Sequence, residues 1–135
     1  MARRLFFDPI SGLYYLLRRK QRKAPTGPAV EAMRTRAKSE LPPRLAALAA
    51  LYGFSYNRLT IKNNISNWGS CSIRGNINLN LRVVDLPKEL QDYVMLHELC
   101  HLRYMNHGRE FHALLESLCP HHRAMEKELR QHKLV

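Results

Sequence analysis

The stretch HELCH, which runs from His97 to His101, decides this fold, and Asn106-His107 and Phe111 follow it closely. On a helix, two side chains four positions apart lie on the same face, so the imidazoles of His97 and His101 can reach one metal ion. Glu98 then lies beside them, where its carboxylate can accept a proton from a metal-activated water. This pattern is typical of a zinc hydrolase.

The segment around this motif has the pattern of a buried helix. From Pro87 to Tyr104 it has no internal Gly or Pro, and proline suits the first position of a helix. The second half of the segment is apolar nearly all round, which predicts burial in the domain rather than a place on its surface. Buried ionisable groups need partners, and a metal ion supplies one.

A third metal ligand is expected, because a catalytic zinc site has three protein ligands and one open position for water. His107 follows His101 by six residues, which is enough for the chain to leave the helix, turn and bring an imidazole back to the metal. Asn106 favours this path, since Asn tolerates the left-handed conformation that ends helices. Glu110 and His112, in the next predicted helix, are the rival third ligands.

Helices are predicted on both sides of this motif. Residues 29–39 and 44–52 have helical composition, and Leu41-Pro42-Pro43 is expected to interrupt them because proline breaks helix interiors. After Gly108, residues 109–118 predict a helix that presses the third ligand inward, and residues 121–134 predict a last amphipathic helix. These elements cover a small sheet.

The sheet is predicted to be short and antiparallel, which makes the domain α+β. Leu59 and Ile61 alternate with polar residues in a strand predicted within residues 54–62. Alternation then extends from Cys71 through Ile73 to Leu81, and the turn residues at 74–76 predict a hairpin.

Composition predicts one small globular domain with a basic arm in front of it. The 135 residues are 45% hydrophobic and carry a formal net charge of +11, and residues 1–44 contribute eleven Lys and Arg against three acidic residues. We therefore predict a basic N-terminal arm and linker at residues 1–27 and a folded domain at residues 28–135. An apolar segment, 10–17, precedes a basic one, 18–23, which predicts contact with nucleic acid or an anionic membrane surface; the alternative is a solubilising tail.

The cysteines and the apolar runs indicate a cytoplasmic protein. Cys71, Cys100 and Cys119 form no C-x-x-C pair, and their odd number fits reduced thiols. Cys100 is expected to pack as a small apolar residue, whereas Cys71 has a rival interpretation as a nucleophile. No apolar run approaches the roughly 20 residues of a transmembrane helix, and Asp8 and Pro9 interrupt the one stretch that resembles a signal peptide.

The motifs together are similar to those of the YgjP-like metallopeptidase domain and, more distantly, of the SprT group of zinc proteins. The resemblance covers about residues 30–132, and it rests on the following runs: WGSCS at 68–72, GNINLN at 75–80, Tyr93-Val94, HELCHL at 97–102, Asn106-His107 and Phe111. It implies a small zincin-like domain with a buried HExxH active-site helix. It also implies zinc on His97, His101 and His107, with Glu98 as general base.

The chain departs from the family pattern at two positions. Asn67 stands where Arg is frequent, and His112 stands where Trp is frequent. Both departures concern residues expected to face the substrate. The metal positions themselves match.

The predicted function is that of a zinc-dependent metallopeptidase acting on protein or peptide substrates with a metal-activated water. An exposed strand edge holds an extended peptide by backbone hydrogen bonds, and the family resemblance implies that the strand around residues 68–73 borders the cleft. Core packing is the alternative role for Trp68. The predicted substrate-binding residues are Trp68, Cys71, Tyr104 and His112, and Arg103, Tyr104 or His112 is expected to stabilise the oxyanion.

Two other functions compete with this prediction. A non-catalytic zinc-stabilised module would bind nucleic acid or a partner protein through the basic arm. Hydrolysis of a non-peptide amide would use the same metal chemistry.

Overall fold

The computed structural model of the chain describes residues 23–134. Within them lie three strands, β1 (Arg58–Lys62), β2 (Gly69–Cys71) and β3 (Asn76–Asn80), and four helices, α1 (Pro28–Tyr52), α2 (Lys88–Cys100), α3 (Arg109–Leu118) and α4 (His122–Leu129). A short 3-10 helix, Leu81–Asp85, follows β3. The expected α+β class is confirmed. The predicted contact of the arm with nucleic acid or membrane falls on residues 10–23, nearly all of which lie outside the described residues.

Helix α1 continues through Pro42 and Pro43, so the predicted interruption at this point is wrong. The buried side chains of α1 recur every four residues on both sides of the proline pair: Ala37, Leu41, Leu45 and Ala49. Packing of this stripe against the core supplies a stabilisation that local propensity does not count. Tertiary contacts therefore keep the helix continuous where its sequence favours a break.

The sheet has the order β1-β3-β2 and is mixed, so the prediction of a wholly antiparallel sheet is wrong. β2 and β3 form the predicted antiparallel hairpin, but β1 pairs with β3 in parallel. The central strand carries Ile77 and Leu79, which are both fully buried. Alternation in the sequence specifies which face of a strand is buried, and it leaves open which neighbour the strand pairs with.

The turn of the hairpin lies where the sequence predicts it, but it leaves the side chain of Ile73 exposed. Gly75 has a φ of 83°, the left-handed region that favours glycine, and its amide donates to the carbonyl of Ser72 at 2.9 Å. Because Ile73 lies in this turn, its side chain is 85% exposed and does not continue the buried face as predicted. Leu81 is buried, but it begins the 3-10 helix instead of ending the strand.

Asn80, at the end of β3, fixes the loop that leads into β2. Its buried side-chain amide donates to the carbonyl oxygens of Asn64 at 2.7 Å and Asn67 at 3.0 Å. Its Oδ1 atom accepts from the backbone amide of Arg82 at 2.9 Å. Side-chain bonds to backbone of this kind hold an irregular segment in one conformation, so the start of β2 is fixed from both sides.

Helix α2 is the buried helix that the sequence predicts, with every residue from 93 to 100 buried. Pro87 is the N-cap residue of the helix and not its first residue. The carbonyl oxygen of Pro87 accepts hydrogen bonds from the amides of Leu90 and Gln91. The helix ends at Cys100, earlier than the predicted segment, and its last hydrogen bonds tighten to i→i+3 spacing.

No non-glycine residue in the described part of the chain has a positive φ, so the left-handed conformation expected of Asn106 is wrong. None of the helices formed by residues 23–134 combines the length and hydrophobicity needed to cross a membrane.

Candidate metal centre

Three imidazoles converge at the C-terminal end of α2. His97 and His101 are 4% and 5% exposed, and His107 reaches them from the loop between α2 and α3. Ligand atoms of the three residues lie within 4.8 Å of one another, and the Nε2 atoms of His101 and His107 are 3.0 Å apart. Tetrahedral zinc at about 2.05 Å from each nitrogen holds its ligand atoms about 3.4 Å apart. The donor set and its spacing therefore fit a metal ion.

The tautomer of His101 is fixed by the backbone. Its Nδ1 atom lies 3.0 Å from the carbonyl oxygen of Tyr104. Because a carbonyl oxygen only accepts, Nδ1 carries the proton, and a neutral His101 presents the lone pair of Nε2 to His107. The tightened turn that ends α2 returns the Tyr104 carbonyl to this place. The sequence predicts a role for the Tyr104 side chain, whereas the observed contact is made by the Tyr104 carbonyl, which no residue type signals.

Phe111 packs against all three imidazoles. It is 1% exposed, and its ring centroid lies 5.0 Å from that of His97, 4.6 Å from that of His101 and 4.7 Å from that of His107. The ring stacks on His101 and meets the other two edge-on. Helix α3 begins after Gly108 as predicted, and this places Phe111 in its first turn. The helix thus supports the predicted third ligand from behind.

Glu98 lies beside the imidazoles and against strand β2. Its side chain is fully buried, and its Oε2 atom is 3.4 Å from Nδ1 of His97. Gly69, the first residue of β2, approaches it so closely that a Cβ at this position would lie 3.1 Å from Cγ of Glu98. The carboxylate therefore lies between the three imidazoles and strand β2.

Cys71, also on β2, is held as a thiol. Burial raises its pKa to about 12, and the negative charge of Glu98 adds to the shift. A thiolate, not a thiol, is the nucleophile in cysteine chemistry, so these surroundings do not support the nucleophile interpretation. Cys100 packs in the core with no exposed surface, as predicted.

Trp68 and Arg103 are engaged elsewhere in the fold. Trp68 is 6% exposed within the hydrophobic core, and it lines a cavity of about 310 Å³ together with Met33 and Leu86. Its side chain thus packs in the core, and its predicted part in substrate binding stays a prediction. Arg103 donates to the carbonyl of Gly53 at 3.0 Å and lies over the ring of Phe54, so it holds the end of α1.

The rival ligands lie outside the three-histidine group. Glu110 is exposed on α3. The ring of His112 lies 6.4 Å from that of His107 and 6.1 Å from that of His122. Burial lowers the pKa of His122, and Glu116 lies 3.8 Å from its Nε2 atom. The structure thus brings His107, rather than Glu110 or His112, to the other two imidazoles.

Two solved structures are similar to this fold. The metallopeptidase zymogen of Pyrococcus abyssi abylysin is 22% identical in sequence, with a TM-score of 0.59 over 64% of this chain and 89% of that one. The metallopeptidase zymogen of Methanocaldococcus jannaschii jannalysin is 25% identical, with a TM-score of 0.52 over 73% of this chain and 94% of that one. No curated protein matches the sequence.

A family model matches most of the chain. Residues 12–132 match the YgjP-like metallopeptidase domain, and this range includes the region of the predicted resemblance. The match also includes part of the predicted arm, whose boundary at residue 27 stays a prediction. The family and the two structures indicate a metallopeptidase, and the chain belongs to the YgjP-like metallopeptidase domain family.

Proposed function

We propose that this protein is a zinc-dependent metallopeptidase in which His97, His101 and His107 hold the metal and Glu98 is the general base. The observation that carries the proposal is the convergence of three imidazoles beside a fully buried carboxylate. A buried ion pair does not need three imidazoles at one point, whereas a catalytic zinc site has three protein ligands around the metal.

The imidazoles suit zinc because they are neutral donors. A zinc ion held by three of them would keep its full positive charge, which would lower the pKa of bound water towards about 7 and polarise a carbonyl group. His101 needs no rearrangement of protons to bind, since the Tyr104 carbonyl already holds its proton on Nδ1. Phe111 keeps the three rings facing one another.

Glu98 suits the role of general base because of its surroundings. Burial of a carboxylate is costly unless a positive charge lies close to it, and a metal ion between neutral imidazoles supplies that charge. The carboxylate would accept a proton from the attacking water and pass it to the leaving amine. Tyr104 and His112 remain our candidates for stabilising the oxyanion, since Arg103 is held by Gly53.

Strand β2 suits an extended peptide substrate. It forms one end of the described sheet, in the order β1-β3-β2, and it contacts Glu98 through Gly69. A peptide that adds to such an edge is bound through its backbone and is recognised largely without regard to its side chains. We therefore propose protein or peptide segments in extended conformation as substrates.

The competing functions receive less support. Neither the family nor the similar structures support a nucleic-acid partner, and the basic arm lies mostly outside residues 23–134. The cytoplasmic location also stays a prediction.

Incubation of the full chain with unfolded proteins tests the proposal. We expect the zinc-loaded protein to generate new peptide termini, detected by mass spectrometry, because the metal and Glu98 act together on the scissile bond. Cleavage should stop after treatment with a zinc chelator and return when zinc is restored. Cleavage that persists without metal, or the absence of cleavage across varied unfolded substrates with zinc loaded, would contradict the proposal.

A further inference from the structure

Gly69 is a glycine that the backbone conformation does not require. The glycines with positive φ in the described residues are Gly27, Gly53 and Gly75, so Gly69 has a φ that other residues adopt. A side chain at this position would have too little space. An ideal Cβ there would lie 3.1 Å from Cγ and 3.2 Å from Oε2 of Glu98, and 3.2 Å from the carbonyl oxygen of Asn78.

We propose that Gly69 is a positioning residue for Glu98: its bare backbone forms the wall against which the carboxylate rests. This inference deepens the proposed function, since it rests on Glu98 acting as the base. It gives the glycine of the WGSCS run a role of its own, which is to hold the carboxylate of Glu98 in place.

The backbone at Gly69 is held in place by its neighbours. Gly69 is paired in register with Leu79 of β3, and the amide of Asn80 donates to the carbonyl of Trp68 at 2.9 Å. Asn80 also ties down the loop before β2. A methyl group added at Gly69 would therefore press on Cγ and Oε2 of Glu98, because the strand that carries it is held in place.

We expect Gly69→Ala to lower kcat by about tenfold, because the Glu98 side chain must yield by a few tenths of an ångström, whereas a misplacement of about 1 Å at a reacting group costs about 100-fold. KM should change far less, and bound zinc should stay at the wild-type amount, since the three imidazoles are untouched. Gly108→Ala is the matched control, because a Cβ at Gly108 has nothing within 4 Å. It should keep the wild-type kcat.

Removing the whole side chain of residue 98 separates its conflict with a Cβ at position 69 from the conflict with the Asn78 carbonyl, and Glu98→Ala does this. An unchanged kcat in Gly69→Ala would overturn the proposal. Loss of zinc from Gly69→Ala would overturn it as well.

Thermal unfolding tests the contact without any activity. We expect Gly69→Ala to lower the melting temperature more in the wild-type chain than in the Glu98→Ala background, where the obstructing side chain is gone. If Gly69→Ala folds only together with Glu98→Ala, the contact is supported. If it folds in neither background, or lowers the melting temperature equally in both, the inference is wrong. This result stands even if the wild-type chain hydrolyses nothing, which would contradict the proposed function alone.

Discussion

We expect Glu98→Gln to lower the rate of peptide hydrolysis by about 10²–10⁴-fold, the usual contribution of a positioned general base, and to leave the zinc content unchanged. Glutamine has nearly the same shape as glutamate, so it fits the fully buried position and keeps its contact with Gly69. Its amide cannot accept the proton of water, however. The measurement is kcat/KM on a cleavable peptide, together with zinc content.

Glu110→Gln provides the matched control for this change. Glu110 is exposed in the first turn of α3, and its replacement should leave both kcat/KM and zinc content near the wild-type values. Hydrolysis that survived Glu98→Gln at an undiminished rate would show that another group is the base.

Phe111→Ala is expected to weaken both the fold and the metal site. Removing a buried phenylalanine side chain costs about 3–5 kcal/mol in the free energy of unfolding, measured by urea denaturation of the metal-free protein. The same change removes the surface that all three imidazoles contact. Because loss of groups that orient metal ligands typically costs about 10–100-fold in metal affinity, zinc should bind that much more weakly to the folded variant.

Leu115→Ala is the control that separates these two effects. Leu115 lies one turn further along α3 and is also 1% exposed, so its truncation should destabilise the fold by about 2–5 kcal/mol. Zinc affinity, measured by competition with a chromophoric chelator on the folded protein, should change little. Equal weakening of zinc binding by both changes would show that Phe111 acts only through general stability.

The sequence predicts the convergence of the three imidazoles because the geometry involved is local. The spacing of His97 and His101 on one helix places both imidazoles on the same face. The supporting helix α3 begins directly after Gly108, as the sequence predicts. Only a short loop separates His107 from these elements. A compact motif of this kind needs little information about the rest of the chain.

Contacts that depend on distant parts of the chain could not be predicted in the same way. β1 pairs in parallel with β3, the central strand of the sheet, and this pairing joins segments that are distant in the sequence. Helix α1 continues through its prolines because a stripe of its side chains packs on the core. The Tyr104 carbonyl and the Gly69 wall are backbone features. No side-chain pattern marks them.

Metal content measured by elemental analysis is the most direct test of the three-histidine site. We predict about one zinc per chain in the wild type, loss of that zinc in His107→Ala and its retention in His112→Ala, since His107 and not His112 joins His97 and His101 in the structure. Absence of zinc from the wild type after reconstitution at neutral pH, or its retention in His107→Ala, would contradict the account.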